Sequence, residues 1–175
     1  MSTFRATLVQ AFTILEQRFQ FIDQDHCGAV TFQQLLRRLA LAGFRDSQRL
    51  TELFEAVDVD RSGTLEFSEF LMLMFLVEPL DKVFQGSALE TVSLAWKALE
   101  GAFSRHDVDD NLLLSRAELQ RLLVAMLGSA FIGAPEIEDA FKEQQELRFS
   151  EFLFLLYSLL MPQGRYACVC VCACG

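Results

Sequence analysis

The sequence predicts an all-α protein made of repeated helix-loop-helix units in two lobes. Three observations predict it. Apolar residues step by three or four along most of the chain. No segment before the last ten residues alternates as a turn-bounded strand does. The stretch LEFSEFLMLMF at 65–75 returns as LRFSEFLFLLY at 147–157 with seven of eleven positions identical, so the architecture is a repeat.

The elements follow in order. Phe4, Leu8, Phe12, Leu15, Phe19 and Ile22 form one stripe and mark a first amphipathic helix. Further helices are expected over 32–41, 47–57, 67–77, 89–103, 116–127, 135–142 and 149–161, giving eight in four pairs. Gly43 and Gly128 stand where the second and sixth would end, and Pro135 suits a first helical position. The one linker is EPLDKVFQGSA, where Pro79 and Gly86 interrupt the pattern. It divides the chain into a first lobe over 1–80, a second over 88–162 and a cysteine-rich tail over 163–175.

Composition narrows the function. A formal charge of −9 argues against nucleic acid, since a row of phosphates finds no counterpart, and favours cations or basic partners. The longest apolar runs, 70–77 and 152–157, fall far short of the roughly 18 residues of a membrane span. The first ten residues lack the charged start and apolar block of a secretory leader, so a cytoplasmic protein is expected. The apolar fraction of 52%, with seventeen phenylalanines, is high for an acidic soluble chain. A surface that meets a partner and a phenylalanine-rich core both account for it.

The loop between the third and fourth helices is DVDRSGTLEFSE, residues 58–69. Asp58, Asp60 and Ser62 offer side-chain oxygens at loop positions one, three and five, and Thr64 offers its carbonyl at seven. Glu66 serves at nine, directly or through water, and Glu69 closes the shell with both carboxylate oxygens. Gly63 permits the left-handed turn that wraps the chain round an ion. Hard oxygen donors at this count suit Ca2+ better than Mg2+, which demands stricter octahedral order.

Here the chain resembles the EF-hand superfamily of calmodulin, centrin, troponin C and calcineurin B. The resemblance covers about residues 4–161 through the four-unit layout, and the second loop matches in full. The third, DVDDNLLLSRAE at 107–118, matches with Asp107, Asp109, Asn111, Leu113, Ser115 and Glu118, but Leu112 stands where glycine belongs. If that loop keeps its wrap it binds more weakly, and if it relaxes the site is lost. The first loop keeps Asp23, Asp25 and Gly28 but has Cys27 at five and Gln34 at twelve. A soft thiol and a neutral amide make it a degenerate loop in which no calcium is expected. His26 and Cys27 do not make a transition-metal site, since adjacent side chains diverge. The fourth unit has Ala140, Lys142 and Gln144 at the ligand positions and a shortened loop, so it is expected to hold none.

The resemblance implies further things. Position eight of each loop should pair with its counterpart through a two-stranded bridge, Val30 with Leu65 and Leu114 with Leu147. The fourth unit is then a packing partner for the third. Calcium drawing on Glu69 and Glu118 implies a groove formed by Phe70, Leu71, Met74 and Phe75 in one lobe and Leu119, Leu122 and Met126 in the other, with an amphipathic helix of a target protein as its ligand. No nucleophile, base and orienter set suggests an enzyme. The expected function is a calcium-binding, helix-binding light chain or regulatory subunit of a larger assembly, cytoskeletal or ciliary. The alternatives are a free reversible sensor and the regulatory subunit of an enzyme such as a phosphatase. Cys168, Cys170, Cys172 and Cys174 alternate with small residues in a pattern that a TG dinucleotide repeat encodes. Lipid attachment there is the second reading.

Overall fold

The computed structural model describes residues 2–41, 43–77, 85–142 and 144–164. Most of the expected linker and the four tail cysteines lie outside them. The described chain runs α1 (Ser2–Ile22), β1 (Ala29–Thr31), α2 (Phe32–Leu41), α3 (Ser47–Val57), β2 (Thr64–Glu66), α4 (Phe67–Leu76), α5 (Ser87–His106), β3 (Leu113–Ser115), α6 (Arg116–Leu127), α7 (Pro135–Ala140), β4 (Glu146–Arg148) and α8 (Phe149–Leu160). It is all-α, with two lobes that each hold a pair of hands. The strands are three-residue segments joining the loops of each pair: β1 meets β2 and β3 meets β4, both antiparallel. Their central partners are Val30 with Leu65 and Leu114 with Leu147, the pairs implied by the resemblance, and all four side chains are fully buried.

Boundaries differ from the sequence expectation in instructive places. α5 starts at Ser87, directly after Gly86 at φ 59°, and continues to His106, whose Nδ1 lies 2.8 Å from the carbonyl of Ala102. α7 stops at Ala140 instead of running to Lys142, because the Lys142 N–H turns back to the carbonyl of Asp139 at 3.2 Å. A 3-10 turn at Ser129–Phe131, which apolar spacing did not signal, links α6 to α7. α3 is capped by Asp46, whose side chain accepts from the N–H of Arg49 at 2.9 Å.

The phenylalanines meet inside the molecule. Phe19 packs edge-on against Phe67 and Phe70 within the first lobe. Across the lobes, Tyr157 of α8 lies 5.7 Å from Phe12 and 4.7 Å from Phe67, between ring centroids. Phe75 sits between Trp96 and Phe149, at 5.7 and 4.6 Å. The indole N–H of Trp96 donates to the carbonyl of Met74 at 3.3 Å, satisfying the polar edge of a nearly buried ring. α1 packs on α5 and α4 on α8, so the halves share one core.

That seam bears on the expected groove. Phe70, Leu71, Met74, Leu119 and Leu122 are fully buried, Met126 nearly so, and Phe75 is half-buried against the second lobe. In this arrangement they are core residues, because the apolar faces that would line an open groove are packed within and between the lobes. Much of the apolar excess is accounted for in this way.

Candidate metal centres

Three loops share one backbone. The first aspartate of each accepts two N–H groups, from positions five and six: Asp23 from Cys27 and Gly28, Asp58 from Ser62 and Gly63, Asp107 from Asn111 and Leu112, all at 3.0–3.2 Å. Position four is left-handed in each, at His26, Arg61 and Asp110, and so is position six, at Gly28, Gly63 and Leu112. Leu112 takes φ 63° where Gly63 takes 77°, so the third loop keeps its wrap despite the missing glycine. Its side chain points out, 75% exposed, and crowds nothing in the loop.

The second loop fits calcium. Carboxylate oxygens of Asp58, Asp60 and Glu69 lie within 4.8 Å of one another. Two oxygens on opposite sides of an ion at 2.3–2.6 Å stand about 4.6–5.2 Å apart. The hydroxyl of Ser62 lies 2.9 Å from the carbonyl of Thr64, a normal separation for neighbouring ligands. Glu69 is anchored at both oxygens, accepting from the N–H of Val59 at 3.0 Å and of Glu66 at 3.1 Å. Burial pushes its carboxyl above the ordinary glutamate value, and the charges of Asp60 and Asp58 add to the rise. The N–H of Ser62 holds exposed Asp60 below its ordinary value.

In the third loop Asp107, Asp109 and Glu118 meet the same 4.8 Å condition. Glu118 accepts from the hydroxyl of Ser115 at 2.7 Å and the N–H of Val108 at 2.9 Å, and these bonds hold it below the ordinary value. Asn111 donates its amide to Asp109 and to Glu146, both at 3.2 Å, while its oxygen accepts from Leu113. Presenting that oxygen to an ion requires rotation of the amide. Glu146 comes from β4 of the fourth hand, a neighbour that a reading of loop positions one at a time does not find.

The first loop also brings Asp23, Asp25 and Cys27 together, but the thiol donates to the carbonyl of Ala29 at 3.3 Å, the position-seven oxygen. The amide of Gln34 lies 3.5 Å from Asp25. A soft thiol at position five and a neutral amide at position twelve thus stand where the second loop has a hydroxyl and a carboxylate, and both suit a hard cation poorly. Burial raises the carboxyl of Asp23, further disfavouring its charged form. In the fourth hand the stretch from the end of α7 to β4 is one residue shorter than its counterpart, and Gln144 donates to the carbonyl of Ala140 at 3.2 Å. Glu151 still has work: it accepts from the N–H of Arg148 at 2.7 Å and caps α8. Glu69, Glu118 and Gln34 make the same bond back to position nine. The position-twelve residue is therefore a helix cap in all four hands as well as a candidate ligand in two.

Comparison with known proteins agrees with this geometry. The family model described as EF hand matches residues 50–74, the second hand. A putative calmodulin-like protein 6 of Oryza sativa subsp. japonica is 32% identical over 125 residues, 71% of this chain and 67% of that protein. Troponin C, isoform 2, of Drosophila melanogaster is 30% identical over 135 residues, 75% of this chain and 73% of that protein. Calcium-dependent protein kinase 34 of Arabidopsis thaliana is 28% identical over 110 residues, and the match spans only 18% of that protein's length. Four hands in two bridged pairs, a second loop with candidate oxygen donors at each ligand position and two relatives matched over 67% and 73% of their length lead to one conclusion: the chain belongs to the EF-hand superfamily, is calmodulin-like, and has calcium as its ion.

Proposed function

We propose that the chain holds calcium in the second loop, through Asp58, Asp60, Ser62, Thr64, Glu66 and Glu69. The third loop holds a second ion more weakly, through Asp107, Asp109, Asn111, Leu113, Ser115 and Glu118. On this reading the protein is a reversible, non-catalytic sensor that engages an amphipathic helix of a target protein. Bound calcium supplies two positive charges and a demand for six to eight oxygens. The observation that carries the reading is that Glu69 and the seam share one helix. Glu69 stands in the first turn of the ten-residue α4, while Met74 and Phe75 near its far end touch Trp96 and Phe149. The position of the closing carboxylate and the packing between the lobes therefore cannot change independently. Ten acidic side chains crowd the first three loops, and their mutual repulsion is relieved by a cation.

A second reading makes the chain a constitutive light chain of a larger assembly, cytoskeletal or ciliary. It is favoured by the first loop, where the thiol of Cys27 and the amide of Gln34 stand in place of the oxygen donors calcium prefers. The apolar excess, which a partner surface would also account for, is largely absorbed by the seam. A regulatory subunit of an enzyme would use the same surfaces.

The test is calorimetry together with emission from Trp96, the single tryptophan. The parent chain should show a transition at about 10⁻⁷ to 10⁻⁵ M, accompanied by a red shift as the indole leaves its buried position. Glu69→Gln should lose the tighter transition. Emission that does not change as calcium fills the second loop would exclude the sensor and leave the light chain.

A further inference from the structure

The lobes leave between them a cleft of about 1080 Å³. Its floor is built by α4 and α8, which lie side by side and contribute Met72, Leu76, Phe154 and Leu155; its walls are α3 and α7. Met72, Leu76 and Phe154 are only partly buried, so the floor offers an apolar strip. The rim is acidic. The second hand gives Asp60, Glu66 and Glu69, and the fourth gives Glu136, Asp139 and Glu151. Among the described residues, Arg148 is the one cation that lines the cleft, and Lys142 pairs with Asp139 at 2.6 Å from outside the lining. Carboxylates thus exceed cations by four. None of the residues of the expected groove lines this cleft.

We propose that the cleft docks a basic amphipathic helix of about three turns, and that calcium in the second loop weakens that docking. The length follows from the floor. α4 has 10 residues and α8 has 12, about 15–18 Å of helix. A helix roughly 10 Å across and 15 Å long fills roughly 1200 Å³, the same order as the cleft. An apolar stripe on the occupant covers the floor, and lysines or arginines beside the stripe meet the rim. The weakening follows from shared residues: Asp60, Glu66 and Glu69 are half of the rim and also donors of the second loop. A divalent cation held there offsets part of the charge that attracts a basic helix. By linkage, helix and ion weaken each other by the same factor. The docking half is independent of the calcium assignment; the coupling half rests on it.

The probe is a labelled twelve-residue peptide of leucine and lysine at helical spacing, followed by anisotropy with the full chain at low ionic strength. Binding is expected in chelator and should fall about fivefold or more in calcium. Glu136→Lys with Asp139→Lys should weaken it on the order of tenfold, while calorimetry still registers calcium. A leucine and glutamate peptide should not bind. Binding that requires calcium, or that ignores the double substitution, places the peptide elsewhere and overturns the proposal. So do dimers in chelator that the double substitution abolishes, which give the cleft to a second copy. Binding seen only after residues 165–175 are removed gives it to the chain's own tail, and also overturns it; the eight α-helices of the described residues precede that cut. Peptide affinity blind to calcium overturns the coupling, and the calorimetric transition of the second loop tells whether the calcium assignment fails with it.

Discussion

Replacing Leu112 by glycine tests whether backbone strain is what separates the third loop from the second. Leu112 sits at φ 63° with its N–H donated to Oδ2 of Asp107 at 3.0 Å; Gly63 sits at 77° with its N–H donated to Oδ2 of Asp58 at 3.0 Å. The Leu112 side chain is 75% exposed, so its removal sacrifices little packing. A left-handed residue with a Cβ costs about 1–2 kcal/mol, which glycine returns. The gain divides between two equilibria according to when the loop wraps. Where the wrap forms only on ion binding, the whole of it appears as affinity, about fivefold to thirtyfold. Where the wrap exists beforehand, affinity is unchanged and the gain appears in folding, reduced by the roughly 0.5–1 kcal/mol that glycine's freedom costs in the unfolded chain. Calorimetry in a Glu69→Gln background isolates the third loop, and urea unfolding in chelator measures the other share. A fall in both quantities would refute the assignment of Leu112 as a strained glycine position.

Acidification should empty the second loop before the third. Glu69 is raised above the ordinary 4.5, so a proton competes for it from a higher pH, whereas hydrogen bonds hold Glu118 below that value. The same shift gives the folded chain a tighter proton site than the unfolded one. Without calcium, Glu69 therefore subtracts stability at neutral pH, and that loss is relieved as pH falls through its raised value. Calcium titrations at stepped pH check the order, and simultaneous loss from both loops would contradict it. In the fourth hand, Leu147→Ala removes a fully buried partner of Leu114 and should cost about 2–5 kcal/mol in urea unfolding. It should also weaken the third loop while leaving the second unaffected, and an equal loss at both loops would mean that the bridge does not confine its effect to one pair.

What was legible in the sequence lies close together along it. The second loop carries all its candidate donors within twelve residues, where spacing can bring them forward, and the bridge partners follow from the family resemblance. The seam is different in kind. Phe12 and Tyr157 touch across most of the chain, and Met74 meets Trp96 across the linker. Helical periodicity reports that a face is apolar, not what covers it. Hence the phenylalanine excess was open to two readings, and residues expected to line a groove stand in the core. The bond from Asn111 to Glu146, the thiol bond of Cys27 and the cap made by Glu151 were illegible for a related reason. Each is a side chain turning to a partner that the ligand pattern does not mention. Leu112 lies between the two cases: the sequence located the strain, and the backbone angle decided between a loop that wraps and one that relaxes.

The fourth hand shows why the frame of a calcium site outlasts its ligands. Positions one, three and five hold Ala140 at the end of α7 and Lys142 and Gln144 in the stretch after it, none of them fully buried. Changes there sacrifice an ion and little else. The rest of the unit is constrained by packing: Leu147 fills the bridge to Leu114, Glu151 caps α8, and Tyr157 on that helix stands against Phe12 and Phe67 of the other lobe. Losing any of these leaves a cavity or an unmet N–H in the structure that also positions the third loop and the seam. Glu151 makes the separation clearest, since in the second and third hands the same position is both the helix cap and a candidate ligand. Removing the ion from such a residue leaves the cap in force, so the glutamate and the apolar helix behind it retain a structural role without calcium.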